Sequence, residues 1–221
     1  MFINHTKKYI FLGVCKTGST SIQSTLIENK GDDEVAHTLV FTKEKLYESL
    51  GIPEYYKYKN HLTLPEALSC NLLTPEQVQE YRIFGVLRDP IDRFISTAYY
   101  FLSMIHNEGS DYDQNKAVMT WFKKRYKEHE TINIPDNRRQ SKYQVDWLLF
   151  DGKPINNIVL YEDVHDIIYK ITGKNIELPN HLGDYRKQRN TQMIYEYLKQ
   201  DIIKEFKDDY DLYMKIKNNL E

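Results

Sequence analysis

Apolar residues fall in short unbroken runs, each cut off by a polar loop. Tyr9-Ile10-Phe11-Leu12-Gly13-Val14 is the first, too short for a helix and of the kind that a strand buried on both faces presents. It stops at Cys15-Lys16-Thr17-Gly18-Ser19-Thr20, after which residues 21–28 carry Ile22, Leu26 and Ile27 at near-helical spacing before Asn29-Lys30-Gly31. A strand, a loop and a helix opening from that loop are predicted. Arg82-Ile83-Phe84-Gly85-Val86-Leu87 repeats the pattern and ends at Arg88-Asp89-Pro90, where Asp89 predicts a helix cap with Pro90 in the first helical position. That helix should run through Phe94, Tyr99 and Phe101 to about residue 105. Ile158-Val159-Leu160-Tyr161 predicts a third strand, followed by a helix over 163–171. Between them lie a weaker helix at 43–50, a helix opened by Thr74-Pro75-Glu76-Gln77 and another at 117–127. Residues 191–214 read as one long amphipathic helix or a pair. Strands alternating with helices predict an α/β fold with a central, mainly parallel sheet, whose ligands sit at the carboxyl ends of the strands. With no repeat, low-complexity tract or Gly/Ser linker in view, residues 1–221 read as a single domain.

Composition narrows the classes. Thirty basic against 32 acidic residues give a net charge of -2, so no global field draws the chain to nucleic acid or to an anionic membrane surface. Any bound anion must be held by a local cluster. No apolar run approaches the roughly 18–20 residues of a membrane span, and Met-Phe-Ile-Asn-His-Thr-Lys-Lys lacks the layout of a signal peptide, so a soluble, cytoplasmic chain is expected. The two cysteines, Cys15 and Cys70, form no Cys-x-x-Cys pair and no zinc-spaced set; neither a disulfide framework nor a metal site is expected.

The chemistry concentrates at the two strand exits. Gly13-Val14-Cys15-Lys16-Thr17-Gly18-Ser19-Thr20 comes within one residue of the phosphate-cradling pattern G-x-x-x-x-G-K-[ST]: Ser19 stands where that pattern has its lysine, and the lysine is at position 16. Successive backbone N–H groups and the positive end of the following helix make a concave anion site that suits phosphate and sulfate equally. Lys16 adds a point charge, and Thr17, Ser19, Thr20 and Ser21 add hydroxyl donors. An ordinary Gly/Ser/Thr turn entering a helix has the same composition. Arg88 leaves the second strand as Lys16 leaves the first, able to fork onto a phosphate, with Ser96 two turns into the helix as a hydroxyl donor. The alternative is a loop clamp in which Arg88 or Arg93 pairs with Asp89 or Asp92, and it weighs most for Arg93.

Lys16-Thr17-Gly18-Ser19-Thr20-Ser21 resembles the loop with which sulfotransferases hold the 5′-phosphosulfate of 3′-phosphoadenosine 5′-phosphosulfate (PAPS). Arg88-Asp89-Pro90, with Ser96 eight residues beyond Arg88, resembles their 3′-phosphate site. The likeness is strongest to the carbohydrate-modifying sulfotransferases, whose loop reads Pro-Lys-Thr-Gly-Gly/Ser-Thr-Ser; here Cys15 replaces the proline. Weaker similarity continues through Gln140-Ser141-Lys142-Tyr143, Leu160-Tyr161-Glu162-Asp163-Val164 and Phe206-Lys207-Asp208-Asp209-Tyr210-Asp211-Leu212-Tyr213, the last like the family's closing helix.

The resemblance implies a three-layer, P-loop nucleotide-hydrolase-like architecture. It also implies PAPS as co-substrate, PAP as product, no metal, and an acceptor hydroxyl on a carbohydrate. Lys16 would stabilise the leaving 5′-phosphate oxygen, Arg88 and Ser96 would hold the 3′-phosphate, and Lys187 of Arg186-Lys187-Gln188-Arg189 would close over it. Gln140, Ser141 and Tyr143 would lie by the acceptor or the adenine. The acceptor hydroxyl needs a general base, for which a histidine with a reference pKa of about 6.5 is suited. His61, between the two phosphate motifs in a segment like one the carbohydrate sulfotransferases carry, is the candidate, with Glu66 as the fallback; His5, His37, His106, His129, His165 and His181 lack such a context. Two other classes compete. A nucleotide kinase or triphosphatase fails at Ser19 and lacks an acidic metal-binding strand end, and a non-catalytic module for nucleotides or sulfated glycans would keep the loops without needing Lys16 or His61 for turnover.

Overall fold

Residues 1–38, 61–105, 114–123, 143–173, 178 and 191–219 are described by the computed structural model of the chain. Five strands form the main sheet: β1 (Phe2–Asn4), β2 (Tyr9–Leu12), β3 (Val35–His37), β4 (Arg82–Leu87) and, after a small hairpin of β5 (Leu149–Phe150) with β6 (Lys153–Pro154), β7 (Asn157–Leu160). Their order is β3-β1-β2-β4-β7. The three strands predicted from apolar runs lie side by side and parallel, with Ile10 opposite Ile83 and Val86 opposite Val159. The expectation of a mainly parallel sheet is corrected: β1 pairs antiparallel with both β2 and β3, so the sheet is mixed. The cause is local. Residues 5–8 form a tight turn with Lys8 at φ 51, which folds Phe2-Ile3-Asn4 back onto β2, and three residues are too few to show a period.

Alternation along the strands covers both faces of the sheet. Tyr9 and Phe11 of β2, with Phe84, Val86 and Val159, meet Ile22 and Leu26 of α1 (Ser19–Glu28) and Ile168 and Ile171 of α7 (Val164–Thr172). Ile10, Leu12 and Leu87 share the other core with Leu64 and Ala67 of α2 (Leu64–Ser69), Trp147 and Leu148 of α6 (Val145–Leu148), and Leu212 and Tyr213 of α9 (Lys207–Asn218). A third cluster lies beside the sheet. There Phe94, Ile95 and Ala98 of α4 (Pro90–Ile105) pack on Val118 and Trp121 of α5 (Gln114–Phe122) and Leu198 and Ile202 of α8 (Thr191–Glu205).

Most expected elements are present. Thr74 opens α3 (Pro75–Glu80) by the reciprocal bonds of a capping box, its hydroxyl accepting from the Gln77 N–H and its own N–H donating to Gln77 Oε1. The tail is a pair of helices, broken at Phe206 (φ -104, ψ 40). The helix expected at 43–50 and the end of that expected at 117–127 lie outside the described residues. Among the described residues no helix is long and apolar enough to cross a membrane.

Candidate functional site

Three parallel strands deliver three polar tips to one edge of the sheet: the 13–18 loop after β2, Arg88 after β4 and Tyr161 after β7. The first loop turns sharply because Lys16 (φ 64) and Gly18 (φ 74) both take the left-handed conformation. Gly18 has a second reason to be glycine, since a Cβ there would sit 3.2 Å from Cε2 of Tyr161. It occupies the N-cap position of α1, with no side-chain cap.

The carbonyls of this loop are accounted for one by one. Gly13 O accepts from Nδ1 of His61 at 2.6 Å, and Val14 O from the hydroxyl of Thr17 at 3.0 Å. Cys15 O accepts from Nε of Arg93 at 3.0 Å, and Lys16 O from Nη1 of Arg88 at 3.1 Å. Four successive C=O groups are thus held by side-chain donors, three of them from other segments. Among the described residues no peptide bond is cis, so the N–H of each following residue lies on the opposite edge of its peptide plane from the carbonyl. The Val14 N–H turns back to Leu12 O at 3.0 Å.

The second loop is equally constrained. The buried amide of Gln144 grips the Arg88 backbone from both sides, Oε1 accepting from its N–H and Nε2 donating to its carbonyl, each at 2.9 Å. The Arg88 guanidinium lies 4.5 Å over the Tyr161 ring. Oδ1 of Asp89 accepts from the N–H groups of Ile91 and Asp92 at 2.8 and 3.2 Å and so caps α4. Burial pushes the Asp89 carboxyl above the usual carboxylate range, against the pull of those two donors.

Arg93 is a clamp toward Asp209: it is 2% exposed, and its Nη1 lies 3.8 Å from Oδ2 of the fully buried Asp209. Burial raises the Asp209 carboxyl as well, with the Arg93 charge opposing it. Along α4, Asp92, Ser96 and Tyr100 form a half-buried stripe at four-residue spacing, and Nζ of Lys16 sits 4.2 Å over the Tyr100 ring. Ser96 thus lies one turn from the ring that carries the Lys16 ammonium.

The structure therefore gathers Lys16, Gly18, Arg88, Ser96 and His61 around one strand edge. Ser19 is buried at the start of α1, Ser21 is half-buried and Thr20 is exposed. Thr17 departs from expectation as a hydroxyl donor to a ligand. It is 0% exposed and its hydroxyl serves the buried Val14 carbonyl, which would otherwise lack that donor. Glu66, the fallback base, has a local task too, accepting from the Thr63 N–H at 3.0 Å to cap α2. Tyr143 donates to Glu205 at 3.0 Å, joining α8. His5 pairs with the Tyr81 hydroxyl, burial lowers the pKa of His37 on β3, and His165 is exposed on α7. Lys187, Gln140, Ser141, His106, His129 and His181 lie outside the described residues.

Gln144, Asp209, Tyr100 and Tyr161 were not assigned from sequence. For Tyr161 a signal exists, because it follows its strand as Lys16 and Arg88 follow theirs, and Asp209 stands in the stretch likened to the family's closing helix; for Gln144 and Tyr100 there is none. The sequence matches the family model described as Sulfotransferase family over residues 1–165. No curated protein and no solved structure matches it.

Proposed function

The chain belongs to the sulfotransferase family, and we propose that it moves a sulfuryl group from PAPS to an acceptor hydroxyl on a carbohydrate, releasing PAP, without a metal. On this reading residues 1–221 form one sulfotransferase domain of the three-layer, P-loop-like kind. One observation carries the donor site. Four consecutive loop carbonyls, Gly13 to Lys16, are each held by a side-chain donor, which fixes the shape of the loop that would cradle an anion. The residues present fit a doubly charged nucleotide: a loop of backbone N–H groups with Lys16 at one strand tip, and Arg88 with Ser96 near the neighbouring tip.

PAPS, when bound, supplies the sulfuryl group. Lys16 neutralises charge building on the 5′-phosphate side, with Gly18, Ser19, Thr20 and Ser21 lining the turn into α1, and Thr17 contributes its backbone N–H. Arg88 and Ser96 hold the 3′-phosphate, with Lys187 as a further cation for it. His61 takes the acceptor proton. Its Nδ1 must be the donor to Gly13 O, so in the neutral ring Nε2 carries the lone pair.

Ligand-dependent melting tests the donor. PAP without metal, at about a hundred times its Kd, should raise Tm by roughly 5–10 °C. Stabilisation by ATP·Mg²⁺ alone would favour a nucleotide kinase or triphosphatase instead. Transfer of labelled sulfate from PAPS to a panel of oligosaccharides, with phenols as the contrast, tests the acceptor. PAP binding without transfer to any acceptor would indicate a non-catalytic module.

A further inference from the structure

The contacts around the two loops close into a ring. From Lys16 O the path runs to Arg88 Nη1, and from the Arg88 backbone to the Gln144 amide. The next residue, Val145, donates its N–H to Oδ1 of Asp209 at 2.9 Å. Asp209 Oδ2 faces Arg93 Nη1, and Arg93 Nε returns to the Cys15 carbonyl beside Lys16. Asp209 is where the branches from the two loops meet. It lies in the first turn of α9, where the helix dipole favours a carboxylate, and it is fully buried. One turn later Tyr213 donates to Glu162 beside Tyr161 at 2.8 Å, so the same helix also reaches the third strand tip.

We propose that Asp209 is a positioning residue which, through Arg93 on one side and Val145-Gln144 on the other, sets the separation between the 13–18 loop and Arg88, and thereby the span over which one nucleotide can be held at both ends. The assignment of a nucleotide rests on the sulfotransfer reading; the coupling of the two loops does not. A buried ion pair gives little net stability compared with a packed apolar pair, because desolvation offsets most of the attraction. What an apolar pair would lack is the directed contacts to Val145 N–H and to Cys15 O. Asp209 lies beyond residue 165, where the family match ends, and the contacts given above carry its role.

Asp209→Asn keeps an acceptor for the Val145 N–H and removes the charge that orients Arg93. Arg93→Lys keeps a charge for Asp209 and removes the second nitrogen that holds Cys15 O. In both full-length variants, amide exchange measured by mass spectrometry should quicken in peptides covering 13–21 and 86–92 and stay unchanged in β1 and β3. PAP should bind more weakly in both, by about tenfold or more. The KM for PAPS should rise with it, while kcat falls less.

Unchanged exchange in both loops overturns the proposal whether or not the wild-type chain binds PAP. Absence of PAP binding by the wild-type chain counts instead against the sulfotransfer reading. Should either variant fail to fold, the pair is a determinant of the whole fold rather than of loop spacing, and the proposal falls.

Discussion

On the proposed reading His61 combines two tasks on one ring. Nδ1 donates to Gly13 O, 48 residues away in sequence, and so helps fix the loop; on that reading Nε2 takes the acceptor proton. The tasks can be separated. An asparagine amide can replace Nδ1–H as the donor but cannot act as a base, so His61→Asn should bind PAP nearly as wild type does while turnover falls by about 10²–10⁴. His61→Ala should lose turnover and also about 1–3 kcal/mol of stability or donor affinity, because the Gly13 carbonyl is left without this donor. Calorimetry with PAP and steady-state transfer from labelled PAPS check both, and an active His61→Asn chain would move the base elsewhere. At this scale the sequence exposes residue types in consecutive loops, which is why Lys16, Gly18, Arg88 and Ser96 could be picked out. It does not expose pairings: the donors to Lys16 O and Cys15 O stand 72 and 78 residues from them. Nor does it expose local bonds: Thr17 and Glu66 both turn a polar atom onto a backbone group three residues away.

Elements with a start signal were the most legible, because caps are written in adjacent residues. Asp89 and Pro90 set the beginning of α4, and Thr74, Pro75 and Gln77 that of α3, where the expectations placed them. The short helices α2 and α6 carry too few residues for a period, and they form because Leu64, Trp147 and Leu148 are buried against the sheet. α4 matters most, since it carries Arg93, Ser96 and Tyr100 to the strand edge. Asp89→Ala removes the acceptor of two orphan N–H groups and should cost about 0.5–2 kcal/mol in urea unfolding, with Asp89→Asn recovering most of it. Equal losses in the two variants would mean that the Asp89 charge, rather than the cap, stabilises the helix. Burial already raises the Asp89 carboxyl, so its charge is not favoured there, and recovery by asparagine is the expected result.

For the whole molecule, the parallel centre was readable because β2, β4 and β7 are apolar runs covered on both faces. The antiparallel edge was not, because its pairing depends on a turn at residues 5–8 and on the burial of Met1-Phe2-Ile3 beside β2. Tyr9 records how tightly that edge is closed. It is 3% exposed, stacks on Phe2 at 5.8 Å and meets Phe84 edge-on at 6.3 Å, and burial pushes its hydroxyl up to about 12. Its folded pKa lies above the unfolded value of about 10, so its contribution is fully present below pH 10 and is lost as pH rises through about 12. Tyr213 is raised in the same direction, again first by burial. Stability should therefore decline above pH 10, with Tyr9 accounting for on the order of 2 kcal/mol by the top of that window. Tyr9→Phe cannot ionise, and urea unfolding at pH 8, 10 and 11 should show a shallower decline than in the wild-type chain. Parallel declines in the two chains would mean that the Tyr9 hydroxyl ionises as readily folded as unfolded, and hence that the packing around β1 and β2 admits water.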